Sequence, residues 1–120
     1  MDDFTLIALT DDFDMSTRLA RISNSINCEL VFAENNDIVE ICEKTSGGVV
    51  IIDLNTKSYN SFDIAKNIRD YSTLIICGFV EKINKDVRRK AEKYGFDLVF
   101  PKSMFTQNLK FIIGQSKIEG

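Results

Sequence analysis

The sequence predicts an open α/β sheet, five parallel strands alternating with five helices, and three observations predict it. Short apolar runs rich in Val, Ile, Leu and Phe recur along the 120 residues with few polar interruptions, as expected of strands buried on both faces of a parallel sheet. Segments of helical period separate these runs, and strands that alternate with helices build right-handed crossovers within one sheet. No Pro/Ser/Gly-rich linker, low-complexity tract or internal repeat interrupts the chain, and its single proline, Pro101, directly follows an apolar run. Residues 1–120 therefore read as one domain, long enough to bury about two-thirds of its unfolded surface in one core.

The first predicted strand is Phe4 to Leu9, and the helix after it carries Met15, Leu19, Ile22 and Ile26 at helical spacing, with Asp14 as its expected cap. Leu30 to Ala33 is the second strand, followed by a short helix marked by Ile38, Ile41 and Cys42. The third strand, Val49 to Leu54, leads to a helix with Phe62, Ala65 and Ile68 behind Ser61 as its cap. Leu74 to Val80 is the fourth; Val87, Ala91 and Tyr94 mark the next helix, with Asn84 in front and Gly95 as the stop signal. The fifth strand is Leu98 to Phe100, and Ser103 opens a last helix bearing Phe105, Leu109, Ile112 and Ile113.

Composition narrows the chemistry. With no His there is no Ser-His or Cys-His nucleophile pair and no His-ligated metal, so acid-base or metal chemistry must come from carboxylates, lysines or the three cysteines. Cys28, Cys42 and Cys77 are odd in number and lie within or beside apolar runs, and they read as buried thiols of a reducing compartment. A net charge of -3 argues against a phosphate-backbone binder. The basic run from Lys82 to Lys93, interrupted by Asp86 and Glu92, reads as a solvated helix face, so no nucleic-acid partner is expected for this chain alone. The first twenty residues hold five Asp and no apolar run long enough for a signal peptide or membrane span, which predicts a cytoplasmic protein with no membrane partner.

In open sheets of this class, ligands bind at the carboxyl ends of the strands, near the point where strand order reverses. The first strand ends in Thr10-Asp11-Asp12, the third around Asp53, and the fifth runs into Pro101-Lys102. If the first and third strands are neighbours, as in the flavodoxin-like order 2-1-3-4-5, three carboxylates converge with a lysine opposite. Like charges so close are costly unless a cation neutralises them. Mg²⁺ suits the task, since it takes a few carboxylates together with waters and phosphate oxygens. An Asp beside it can act as a nucleophile toward a phosphoryl group, with the lysine screening the transferred oxygens. Each of these Asp residues by itself is an ordinary helix cap or turn residue; their grouping carries the reading.

Thr10-Asp11-Asp12-Phe13, the run Val49-Val50-Ile51-Ile52-Asp53-Leu54-Asn55, and Gly95 followed by Lys102 resemble the receiver domains of two-component response regulators, over nearly the whole chain. The resemblance implies a non-enzymatic signalling domain that acts in phosphorelay. It implies Asp53 as phospho-acceptor, Asp11 and Asp12 as the acid pair holding Mg²⁺, the main-chain carbonyl of Asn55 as a further metal ligand, and Lys102 as the phosphoryl-contacting lysine. A histidine kinase or phosphotransfer protein would donate the group, and a downstream protein would read the result.

The chain departs from that family in four places. Cys77-Gly78-Phe79 stands where receivers carry a Ser or Thr at the end of the fourth strand, and Val99 stands where they carry an aromatic residue. The loop from Asn55 to Ser61 lacks the usual Pro and Gly, and the Lys-Pro pair is reversed as Pro101-Lys102. These departures are similar to atypical or pseudo-receivers, whose signalling runs through binding surfaces without phosphorylation; Phe79, Met104 and Phe105 would serve such a surface if exposed, although their pattern assigns them to the core. A flavodoxin-like cofactor enzyme is disfavoured, because Asp11 and Asp12 would repel the FMN phosphate after the first strand.

Overall fold

The structure, a computed structural model, describes residues 4–119, with side chains as far as 114. The elements alternate throughout: β1 (Phe4–Leu9), α1 (Phe13–Ile26), β2 (Glu29–Phe32), α2 (Ile38–Lys44), β3 (Gly47–Asp53), α3 (Ser61–Tyr71), β4 (Ile75–Val80), α4 (Lys85–Lys93), β5 (Leu98–Pro101) and α5 (Lys102–Glu119). All pairings are parallel and the strand order is β2-β1-β3-β4-β5, as the sequence predicts.

Alternation along the strands divides the core into two layers. Leu6, Ala8, Val49, Ile51, Cys77 and Phe79 face Met15, Leu19 and Ile22 of α1 and Phe105, Leu109 and Ile113 of α5. Ile7, Leu9, Val50, Ile52 and Ile76 face Ile38 and Cys42 of α2, Ala65 and Ile68 of α3, and Ala91 of α4. Each large side chain among these contributes about 1.5–3 kcal/mol by leaving water. Phe79 and Phe105 stack at 5.4 Å between ring centroids, and Phe105 meets Phe100 edge-on at 6.3 Å.

Several sequence expectations change in detail. Only β1, β3 and β4 are buried on both faces; β2 and β5 are the sheet edges and stay half-exposed. Asp12, not Asp14, caps α1 by accepting from the Met15 N–H at 3.0 Å, and Asn60, not Ser61, caps α3. In both cases the residue one or two positions earlier has the extended backbone that a cap requires. Helix α5 begins at Lys102, ahead of Ser103, so the lysine opens a helix. Cys42 and Cys77 are buried as expected, whereas Cys28 is only partly so. Phe79 and Phe105 lie in the core, while Met104 is half-exposed. The basic run has the solvated face expected of it: Lys85, Arg88, Arg89, Lys90 and Lys93 are exposed around the single buried residue of α4, Ala91.

Two glycines have backbone reasons. Gly95, at φ +101°, ends α4 in a conformation other residues adopt at a cost. Gly48, at φ +153°, pairs with Thr5 where β1 and β3 meet, and a Cβ there would stand 1.9 Å from the Thr5 carbonyl oxygen. A side chain at this position must push the two central strands apart. Gly48→Ala is expected to lower unfolding free energy by about 3 kcal/mol. Urea titration of the two proteins measures it, and equal midpoints would show that the strands absorb the methyl group.

Candidate functional site

The β1–β3 register ends with Leu9 beside Ile52, and Thr10 and Asp53, the next residues on the two segments, are joined through their side chains. On the other side Asp53 pairs with Phe79, and Phe79 with Phe100. Thr10, Asp53, Phe79 and Phe100 therefore form one row across the sheet. Asp53 is only 4% exposed, and both its oxygens are engaged: Oδ1 accepts from the Asn55 N–H at 2.8 Å and Oδ2 from the Thr10 hydroxyl at 3.0 Å. Its main-chain carbonyl accepts from the buried Ser61 hydroxyl at 2.6 Å, which fixes the start of α3 against the end of β3.

The other predicted residues gather at the same end. The Thr10 hydroxyl accepts from the Asp12 N–H at 2.9 Å, tying the acid pair's backbone to the Asp53 row. Lys102, at the first position of α5, pairs with Asp12 at 2.7 Å and more weakly with Asp14 at 3.6 Å, so it offsets part of the negative charge around the β1–α1 turn. Asp11 is exposed and accepts from the Thr56 hydroxyl at 3.0 Å. Tyr59 donates to the Leu9 carbonyl at 3.0 Å. Burial and then the charges of Asp53 and Asp11 push its phenol upward, keeping it a neutral donor. The β3–α3 loop is thus stitched to the end of β1 at two points. Asn55 is also fixed, its side-chain oxygen accepting from the Glu81 N–H at 2.9 Å after β4.

Solved structures share this fold over most of the chain. The receiver domain of the TMAO respiratory response regulator TorR superposes with a TM-score of 0.81 at 17% identity, covering 97% of this chain and 98% of that one. Chemotaxis protein CheY4 of Vibrio cholerae gives 0.80 at 14% identity, covering 95% and 98%. The receiver of the Saccharomyces cerevisiae response regulator Ssk1, solved with the histidine phosphotransfer protein Ypd1, gives 0.70 at 16% identity over 83% and 79%. This chain has the receiver-domain fold. No family model and no curated protein sequence matches it.

As a receiver fold, it shows where its sequence departs from the pattern. Strand β4 continues through Phe79 to Val80, so its carboxyl end is apolar and offers no hydroxyl to Asp53. Burial, and to a lesser degree the charge of Asp97, pushes the Cys77 thiol up to about 12; burial alone pushes Cys42 up to about 11. Neither is a thiolate near neutral pH. Val99 packs, partly buried, against the layer under α2, α3 and α4. Among the described residues no cis peptide bond occurs, and no group of three or more Cys, Asp or Glu stands ready-made around a metal position. No helix among them is long and apolar enough to cross a membrane.

Sequence reasoning assigned no role to Thr10, Thr56 or Tyr59. The signal for Thr10 was available: in a parallel pair, the residue before the acid pair falls beside the residue ending β3. Loop contacts such as Thr56 to Asp11 leave no trace in spacing.

The Lys102–Asp12 pair sets a pH dependence. Burial pushes the Asp12 carboxyl upward, but the Lys102 hydrogen bond, the Met15 N–H and the lysine's charge outweigh it and hold the pKa below the ordinary 3.8. The hydrogen bond that Lys102 donates to Asp12 in turn raises the lysine above 10.5. A carboxyl lowered by folding stabilises the native state above 3.8 and loses that contribution as pH falls through its folded value; a raised lysine contributes below 10.5 and loses it as pH climbs through its own. In EDTA, Lys102→Met should cost about 1 kcal/mol at neutral pH. The difference from wild type should shrink in acid, below 3.8. Denaturant titrations across that range measure it, and a constant loss would mean that Lys102 acts by packing its stem.

Proposed function

We propose that this chain is a signalling receiver that accepts a phosphoryl group on Asp53 from a histidine kinase or a histidine phosphotransfer protein. The observation that supports this most is the setting of Asp53: a nearly buried carboxylate at the end of a central strand, held by one donor on each oxygen, with the Asp11–Asp12 turn and Lys102 at the same edge. A carboxylate so fixed keeps a lone pair on each oxygen for attack on phosphorus, and holding it in place lowers the entropic part of the barrier. Lys102, on Asp12 at 2.7 Å, has a flexible side chain that would screen the incoming phosphoryl oxygens as a point charge.

The donor set fits Mg²⁺. Asp11, Asp12, Asp53 and the carbonyl of Asn55 are hard oxygen ligands, and this ion needs only one or two carboxylates because waters and phosphate oxygens complete its shell. When bound, Mg²⁺ would offset the like charges of the carboxylates and of the phosphoryl group. The thiol content and the acceptor role both suit the cytoplasm, and a downstream protein would read the altered surface. The Ssk1 receiver, solved in complex with a phosphotransfer protein, supports a partner of that class for a domain of this shape.

A second reading has its own observation. Lys102 already lies on Asp12 at 2.7 Å, and the end of β4 lacks a hydroxyl, which together suit a pseudo-receiver that binds partners without phosphorylation. Incubation with acetyl phosphate and Mg²⁺, followed by intact mass, separates the two. One phosphoryl group should appear on wild type, be absent from Asp53→Asn, and disappear when EDTA removes the metal; Asp12→Asn should react at least about tenfold more slowly. An unmodified wild type at saturating donor and metal would overturn the first reading, and full partner binding by Asp53→Ala would then establish the second.

A further inference from the structure

We infer that Thr10 is a positioning residue for phosphoryl acceptance, supplying from just past the end of β1 the hydroxyl that β4 lacks; the inference rests on the acceptor role proposed for Asp53. The row across the sheet carries the argument. Asp53 has Thr10 on one side and Phe79 on the other, and Phe79 is fully buried with no polar atom to offer. The hydroxyl in reach of the acceptor side chain therefore comes from the opposite strand.

The direction of its proton is fixed by its neighbours. The Asp12 N–H can only donate, so it occupies a lone pair of the Thr10 oxygen at 2.9 Å. The Thr10 proton is then free for Asp53 Oδ2 at 3.0 Å, and a carboxylate can only accept. With the Asn55 N–H on Oδ1, the two donors hold the carboxylate from both ends. Remove the Thr10 hydroxyl and Oδ2 loses its donor, so the group is held from one end, by the Asn55 N–H on Oδ1.

In the transfer, a lone pair on one Asp53 oxygen forms the new O–P bond while the P–O bond of the acyl phosphate breaks, its electron pair leaving with acetate and no proton being required. The oxygen that carries phosphorus becomes the bridging oxygen of an acyl phosphate, a weaker acceptor than the carboxylate. The Thr10 proton can then turn to a phosphoryl oxygen without any movement of β4. Thr10 also touches the Asp12 backbone, so that change reaches the start of α1 directly.

The test compares initial rates of phosphorylation by acetyl phosphate in Mg²⁺ for wild type, Thr10→Val and Thr10→Ser, with urea unfolding to show that each is folded. Val keeps the shape and removes the hydroxyl; it should react about tenfold more slowly, the loss expected for one hydrogen bond to a charged group. Ser restores the hydroxyl and should return to within about threefold of wild type. Should Thr10→Val fail to fold, Thr10→Ala takes its place. A wild-type rate in the hydroxyl-free variant overturns the inference and leaves Asp53 as acceptor. Equal slowing by Val and Ser overturns it too, since the methyl group's packing would then be what matters. A wild type that takes up no phosphoryl group ends both this inference and the reading beneath it.

Discussion

The parallel pairing of β1 with β3 is the constraint on which the rest depends. Its register sets Leu9 beside Ile52, brings Thr10 against Asp53, and carries the Asp11–Asp12 turn to the same edge. It also leaves so little room at Gly48 that the two backbones are in direct contact through Thr5. A slip of one residue would turn every side chain of β3 to the other face, moving Asp53 from the α1/α5 layer to the other. The apolar layers on both sides of these strands forbid that slip, so packing and site geometry are enforced by the same contacts.

Around this register the polar groups are fully used. Asp53 has a donor on each oxygen and Ser61 on its carbonyl, Asp12 has Lys102 and the start of α1, and Asp11 has Thr56. Among the described residues no buried side-chain nitrogen or oxygen lacks a partner. At this carboxylate-rich edge Lys102 supplies one compensating charge, to Asp12, while neutral donors hold Asp53 and Asp11.

The distribution of hydroxyls separates this molecule from the receiver pattern. On β4 the carboxyl end is Phe79-Val80, packed against Phe105 and closed to water. In the β1–α1 turn and the β3–α3 loop stand Thr10, Thr56 and Tyr59, which bond Asp53, Asp11 and the Leu9 carbonyl respectively. A change at Asp53 would therefore be felt first by the β1–α1 turn and the β3–α3 loop, since those are the parts bonded to it and to Asp11.

The sequence by itself determined the order of elements and, with the flavodoxin-like strand order that its alternation suggests, the expectation that Asp11, Asp12, Asp53 and Lys102 lie at one edge, because hydrophobic period and strand-end residues are local signals and the crossover rule leaves few ways to assemble them. It did not determine which residue caps α1 or α3, since Asp12 and Asp14, or Asn60 and Ser61, are equally good caps until the backbone angle at each position is known. Nor did it assign Lys102 to Asp12 or Tyr59 to the Leu9 carbonyl. Those partners lie far apart along the chain, and their meeting follows from where α5 and the β3–α3 loop come to rest against the sheet. That resting place is set by the volume of buried side chains such as Phe79 and Phe105, which only the packed structure decides.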